Sequence, residues 1–280
     1  MFPITKTRSL FRKGIKRVRR LPRRVWEAIE NLMIVFIAPA EAGITFKQMQ
    51  ERYPKDLQRY RKYLRSSQTQ LSRRISEHRR YYSLGSRGFT NPGNYMLWKQ
   101  VLSEYRPFRM LEIGVYRGQT MSLWQLLASE LGYEAEICGL SPLTSGGDEI
   151  GKYLEMDYEK DILENFREFR LPDPELIPMR SDDPKSRALL RQRRFELIFI
   201  DGSHDYEIVK SDLEISLNSL EKFGLLVLDD SMRYRWNSPK TSLINTGHPG
   251  PSRVADEMAV DSRLVELGSC GHNRVFQRTS

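Results

Sequence analysis

A chain of 280 residues with 39% hydrophobic and 10% aromatic residues can enclose a core, and a charged fraction of 29% argues for a soluble protein. Two cysteines, Cys138 and Cys270, exclude a disulfide framework, and neither has the partners of a zinc site. The net charge of +9 is not spread over the chain: ten basic residues and no acid fall within residues 1–24, and without them the balance is −1.

Residues 1–24 form a basic arm. Phe11, Ile15 and Val18 recur at helical spacing, so the arm reads as an amphipathic segment lying on anionic lipid. The competing readings are a disordered solubilising tail or an organelle transit peptide. Nucleic acid is not expected as a partner, because no aromatic stacking platform accompanies the charge. In residues 25–40 the apolar run Leu32–Ala38 falls far short of the ~20 residues of a spanning helix. It is either a helix docked on the protein or a shallow insert beside the arm. The chain is therefore expected to be cytoplasmic, peripheral to a membrane at most.

Residues 46–82 carry spaced apolar residues among Lys, Arg, Glu and Gln. They read as one or two exposed helices, broken near Pro54, that cap the protein or make an oligomer contact. Residues 83–93, with Gly85, Gly88, Pro92 and Gly93, read as a linker, and Asn94–Tyr105 as a helix. From residue 109 onward, strands and helices alternate. Strands are expected at 110–113, 135–140, 176–179, 197–200 and 225–228. Helices are expected at 120–131, 160–169, 185–192, 207–220 and 252–260. Cys138, inside the second apolar run, reads as a small core residue in a reducing compartment. Residues 264–267 and 274–277 flank a Gly/Asn turn and read as a hairpin. Five βα units and a terminal hairpin give an α/β fold: a Rossmann-like, seven-stranded, mostly parallel sheet with an antiparallel hairpin, preceded by a helical extension.

Several strands end abruptly at acids and glycines: Glu112-Ile-Gly114-Val-Tyr-Arg-Gly118, Asp201-Gly-Ser-His204, and Asp229-Asp230. Ligands of open α/β sheets bind beyond such carboxyl ends. The first of these patterns is not the dinucleotide fingerprint, and its leading acid suits a cationic or hydroxyl-rich ligand better than a pyrophosphate. Carboxylates gathered at one sheet edge repel, which raises their pKa values, and a hard cation such as Mg²⁺ relieves the repulsion. His204, three residues past Asp201, could take a proton at neutral pH. The bland readings are that His204 caps a helix, that Asp229-Asp230 is a turn pair, that Asp212 is a structural group within a helix, and that His248 is a loop residue, the alternative being that its Gly/Pro loop closes over an acceptor.

The combination of Glu112-x-Gly114-x-x-x-Gly118, four further βα units and a closing hairpin resembles the class I S-adenosylmethionine-dependent methyltransferases. Asp201-Gly-Ser-His-Asp-Tyr206 and Gly224–Ser231 resemble the metal-dependent sugar and macrolide O-methyltransferases and their cephalosporin-hydroxylase-like relatives. The resemblance covers about residues 90–280. It implies a methyltransferase domain over 94–280, after the arm (1–24) and the helical extension with its linker (25–93). It also implies that Glu112, Gly114, Tyr116, Gly118, Gln119 and Thr120 line the methionine end of S-adenosylmethionine, with Ser181 and Asp182 near the adenine. Asp201, Asp229 and Asp230 would hold a divalent metal, expected to be Mg²⁺, with Asp201 also beside the cofactor and His204 as general base. Ser141 stands where relatives carry an acid that grips the ribose; Asp148 is a candidate substitute. The implied reaction is O-methylation of a sugar or small hydroxylated metabolite, by a monomer or a homo-oligomer. The alternative is a non-catalytic module of the same fold at a membrane surface.

Overall fold

The computed structural model describes residues 43–89, 91–145, 154–232 and 247–280. The basic arm, the apolar run at 32–38 and Asp148 lie outside the described residues.

Three helices open the described chain: α1 (Phe46–Arg52), α2 (Asp56–Thr69) and α3 (Arg73–Tyr82). The first break spans Pro54, as the sequence suggests, and a second precedes Arg73, where Ser72 caps α3 by accepting from the Ile75 amide. These helices are not exposed. Phe46, Met49, Tyr63, Ile75 and Tyr82 are at most 1% accessible. Their aromatic and aliphatic residues share one helical face and bury it, while the charged residues that made the segment look solvated occupy the other. Helix α4 (Pro92–Tyr105) follows, with Asn91 as its cap and Pro92 in its first turn.

Then come β1 (Arg109–Ile113), α5 (Gln119–Glu130), β2 (Glu136–Leu140), α6 (Tyr158–Glu168), β3 (Glu175–Ile177), α7 (Pro184–Arg191), β4 (Phe195–Ile200), α8 (Tyr206–Ser219) and β5 (Leu220–Leu228). Helix α9 (Pro249–Met258) leads to the hairpin of β6 (Leu264–Cys270) and β7 (Asn273–Arg278). Among the described residues the sheet has seven strands in the order β3-β2-β1-β4-β5-β7-β6. The first five are parallel, and β7 runs antiparallel to β5 and β6.

Each strand alternates between two cores. Met110, Leu197, Phe199, Leu225, Val227 and Val275 pack with the helices α1 to α6. Leu111, Ile113, Ile198, Ile200, Leu226 and Leu228 pack with α7, α8 and α9. Both faces are covered, which is why these strands read as continuous apolar runs. Cys138 and Cys270 are buried as free thiols.

Candidate active site

Glu112 has the parity of Met110 in β1, so its side chain faces the α4–α5 layer, in register with Phe199 of β4. It ends up buried at the carboxyl edge of the sheet, 4% accessible. Strand β1 has β2 on one side and β4 on the other, so the chain reverses direction across the sheet at the β1–β4 boundary, where open α/β sheets bind ligands. Gly114 makes that junction. Its φ is +99°, and a Cβ there would sit 2.3 Å from the Asp201 carbonyl oxygen, so only glycine lets the two strand ends come together.

Two cavities adjoin at this point, with Gly114 and Gly202 in the walls of both. The larger, about 670 Å³, is lined by Glu112, Tyr116, Gln119, Thr120, Asp201, His204, Asp229 and Asp230. The smaller, about 330 Å³, is lined by Ser141, Ser181, Tyr158, Ile208 and Asp212. The structure thus gathers nearly all the residues singled out in the sequence. Two of them line neither cavity. Gly118 is buried at the start of α5 with φ +74°, its α-carbon face against Ile162, and it shapes the turn instead of touching a ligand. Asp182 pairs with Arg180 at 2.9 Å on the surface, which holds its carboxyl below the usual range.

The carboxyl groups do not behave alike. Burial pushes Glu112 up to about 8, opposed by a hydrogen bond from Thr120 and reinforced by Asp229; its Oε2 has no protein partner. Asp201 is walled in by protein yet open to the cavity, and burial with Asp229 and Glu112 nearby raises it well above the carboxylate range. Asp230 departs from the expectation of uniformly raised values. Burial opposes its charge, but His204 Nε2 at 3.0 Å and His272 Nδ1 at 3.1 Å outweigh it and hold the carboxylate ionised. His272 responds in kind: burial disfavours its charge, but Asp229 and Asp230 lift it to about 10.

Asp229 and Asp230 converge with His272, and Asp230 with His204 and His248, as two groups whose ligand atoms lie within 4.8 Å of one another. Asp201 hydrogen-bonds Asp229 and lines the same cavity as Asp229 and Asp230, while each of these two groups also includes histidine. Asp229 Oδ1 and His272 Nδ1 are buried 2.6 Å apart without the angle of a hydrogen bond. Such a donor pair fits a cation.

His248 and His272 were not legible as site residues. His248 precedes α9, its amide donating to the Asp230 carbonyl and its ring 4.2 Å from that of His204. His272 sits in the hairpin turn, where its carbonyl accepts from the Ser231 amide at 2.8 Å. Asp212 was expected to be structural. It is 1% accessible, burial raises it to about 6, and Ser181 hydrogen-bonds it while Oδ1 has no partner beside the smaller cavity. Residues 85–89 close the larger cavity from above. Tyr116 donates to the Ser86 carbonyl and Arg117 to that of Gly85, and Phe89 stands 85% accessible with its ring 6.0 Å from that of Tyr116.

A family model described as a methyltransferase domain matches residues 111–231. The fold is that of the class I S-adenosylmethionine-dependent methyltransferases. Among solved structures, a Staphylococcus aureus protein described provisionally as a caffeoyl-CoA O-methyltransferase superposes with a TM-score of 0.55 at 12% identity, over 76% of this chain and 95% of that one. A Bacillus cereus O-methyltransferase in complex with SAH gives 0.51 at 14%, covering 76% and 94%. An SAH-bound Podospora anserina methyltransferase gives 0.51 at 16%, covering 75% and 89%. No curated protein matches the sequence. The methyltransferase match spans β1 to the end of β5, so it includes Glu112, Asp201, His204, Asp229 and Asp230 but neither His248 nor His272.

Proposed function

We propose that the protein is an S-adenosylmethionine-dependent O-methyltransferase that acts, with a divalent cation, on a hydroxyl of a sugar or small hydroxylated metabolite. The observation that carries this reading is the junction at Gly114. It joins a smaller cavity sized for a nucleoside end to a larger one in which Glu112 and Thr120 face the His204–Asp230 pair.

When bound, the cofactor would supply an electrophilic methyl group, and a cation held by Asp229 and Asp230 would supply Lewis acidity that lowers the pKa of an acceptor hydroxyl. The chain supplies the rest. Glu112 Oε2 and Asp212 Oδ1, both without protein partners, are the acceptors left for donors at the methionine and nucleoside ends. Asp212 thereby offers the carboxylate that Ser141 lacks. Asp230 is ionised, so His204 donates Nε2–H to it and keeps its lone pair on Nδ1. His204 takes the hydroxyl proton, and the adjacent carboxylate stabilises the resulting imidazolium. Phe89 and Tyr116 offer aromatic faces to a ring-shaped acceptor at the mouth.

Calorimetric titration with S-adenosylmethionine, with and without divalent cation, tests the reading. Binding at roughly micromolar cofactor is expected, and no heat at millimolar concentration overturns it. His204→Gln should lower kcat by about 100-fold or more with cofactor affinity unchanged; full activity removes His204 from the mechanism.

A further inference from the structure

We propose that His272 is a metal ligand alongside Asp229 and Asp230, and that its nitrogen makes this a centre for a first-row transition ion in place of Mg²⁺. The inference rests on the metal dependence proposed above and specifies the ion. Three features carry it.

First, the donor atoms are already gathered. His272 Nδ1 lies 2.6 Å from Asp229 Oδ1 and 3.1 Å from Asp230 Oδ1. Ligands held at roughly 2.0–2.2 Å from one cation are themselves about 3 Å apart. Second, the closest pair is imperfectly matched: Asp229 Oδ1 and His272 Nδ1 are buried and meet at 2.6 Å without the angle of a hydrogen bond. Buried polar atoms are almost always paired, and a cation that displaced the His272 proton would take a lone pair from each atom. Third, the His272 backbone is anchored beside the aspartates. The Ser231 amide and hydroxyl donate to the His272 carbonyl at 2.8 and 3.2 Å, locking the hairpin turn to the end of β5, the strand that delivers both aspartates. The adjacent Gly271 takes φ +61° to make that turn.

Oxygen-only sites suit Mg²⁺, which holds its water shell tightly. Imidazole nitrogen favours the softer first-row ions, with affinity rising along the series from Mn²⁺ toward Cu²⁺. Asp230 divides its duties: Oδ1 faces His272 and Oδ2 faces His204, so the base and a bound metal would share one carboxylate.

The experiment compares Co²⁺ and Mg²⁺ by calorimetry on the full chain after chelator treatment. Cu²⁺ serves as a pulsed-EPR probe of imidazole nitrogen. Co²⁺ should bind about 100-fold or more tighter than Mg²⁺, and the nitrogen modulation should be present. His272→Asp restores an oxygen-only set. It should erase the modulation and most of the Co²⁺ preference while leaving thermal melting of the metal-free protein within a few degrees. The proposal is overturned if Mg²⁺ matches Co²⁺ in the parent protein, or if no ion binds and the His272 imidazolium is itself the resident cation. It is also overturned if the modulation survives His272→Asp and disappears in His248→Ala. Ion binding without methyl transfer defeats the proposed function and leaves this inference standing; transfer supported equally by Mg²⁺ does the reverse.

Discussion

His78 shows how a single buried side chain sets the acid limit of this protein. It is fully buried on α3, with Nδ1 2.9 Å from the Tyr95 hydroxyl and Nε2 2.8 Å from that of Ser122. Burial pulls it down to about 3. The unfolded chain protonates His78 near pH 6.5 and the folded chain does not, so the stability held above pH 6.5 drains away as pH falls toward 3. The slope is about 1.4 kcal/mol per pH unit. His78→Gln removes this titration. Between pH 6.5 and 4.5, urea unfolding should show the parent losing roughly 2–3 kcal/mol relative to the variant; parallel pH profiles contradict the assignment. The same residue illustrates what the sequence withholds. A histidine among arginines on a polar-looking helix carries no mark of burial. Glu112, Asp201, Asp229 and Asp230 were legible because an apolar run that ends at an acid reports its own strand end. His272 and His248 lie past β5, and only the return of β7 beside that strand and the start of α9 bring them to it.

At the scale of elements, the alternation of strand and helix was readable because each parallel strand is a short apolar run between polar turns. The boundaries moved by a few residues where backbone geometry intervened. Strand β5 begins at Leu220 instead of 225, continuing through Phe223 at φ +62°. The first helices read as exposed because the surfaces that cover them lie elsewhere in the chain: α4 or α5 for each of the three, and, some two hundred residues away, the hairpin for α1 and α2. Arg59 of α2 makes that junction. It is 5% accessible and donates to the Ser269 carbonyl at 2.8 Å and the Tyr53 carbonyl at 2.9 Å, as well as to Asp56 and the Ser269 hydroxyl. Truncating it strands several buried acceptors at once. Arg59→Ala should cost roughly 2–3 kcal/mol, read as a lower urea midpoint at unchanged slope. A fall in slope instead would mean that α1–α3 unfold separately from the sheet. Because the same hairpin carries His272, loosening this junction should also weaken metal binding, which a surface substitution such as Arg73→Ala should not do.

For the molecule as a whole, sheet order could not be read from the chain, since nothing local says that β1 pairs with β4 across an intervening pair of strands. The order places the reactive edge where the direction reverses, and it leaves charge as the property that only the full length reveals. No helix of the described residues is long and apolar enough to cross a membrane. With the ten basic residues of 1–24 set aside, the balance falls from +9 to −1, and a nearly neutral body has little attraction of its own for an anionic surface. If the arm lies on lipid, each basic residue adds about 1 kcal/mol near the surface, and the effect must fade as salt shortens the Debye length from about 10 Å at 0.1 M to about 3 Å at 1 M. Deleting residues 1–24 should therefore abolish co-sedimentation with vesicles containing phosphatidylserine at 0.1 M salt. Turnover of a soluble acceptor should be unchanged, because described residues wall both cavities. Equal sedimentation of both forms, or binding by the parent that persists at 1 M salt, would assign the arm another role. A loss of turnover on deletion would instead mean that the arm reaches the cavity mouth beside Phe89, making it part of the acceptor site.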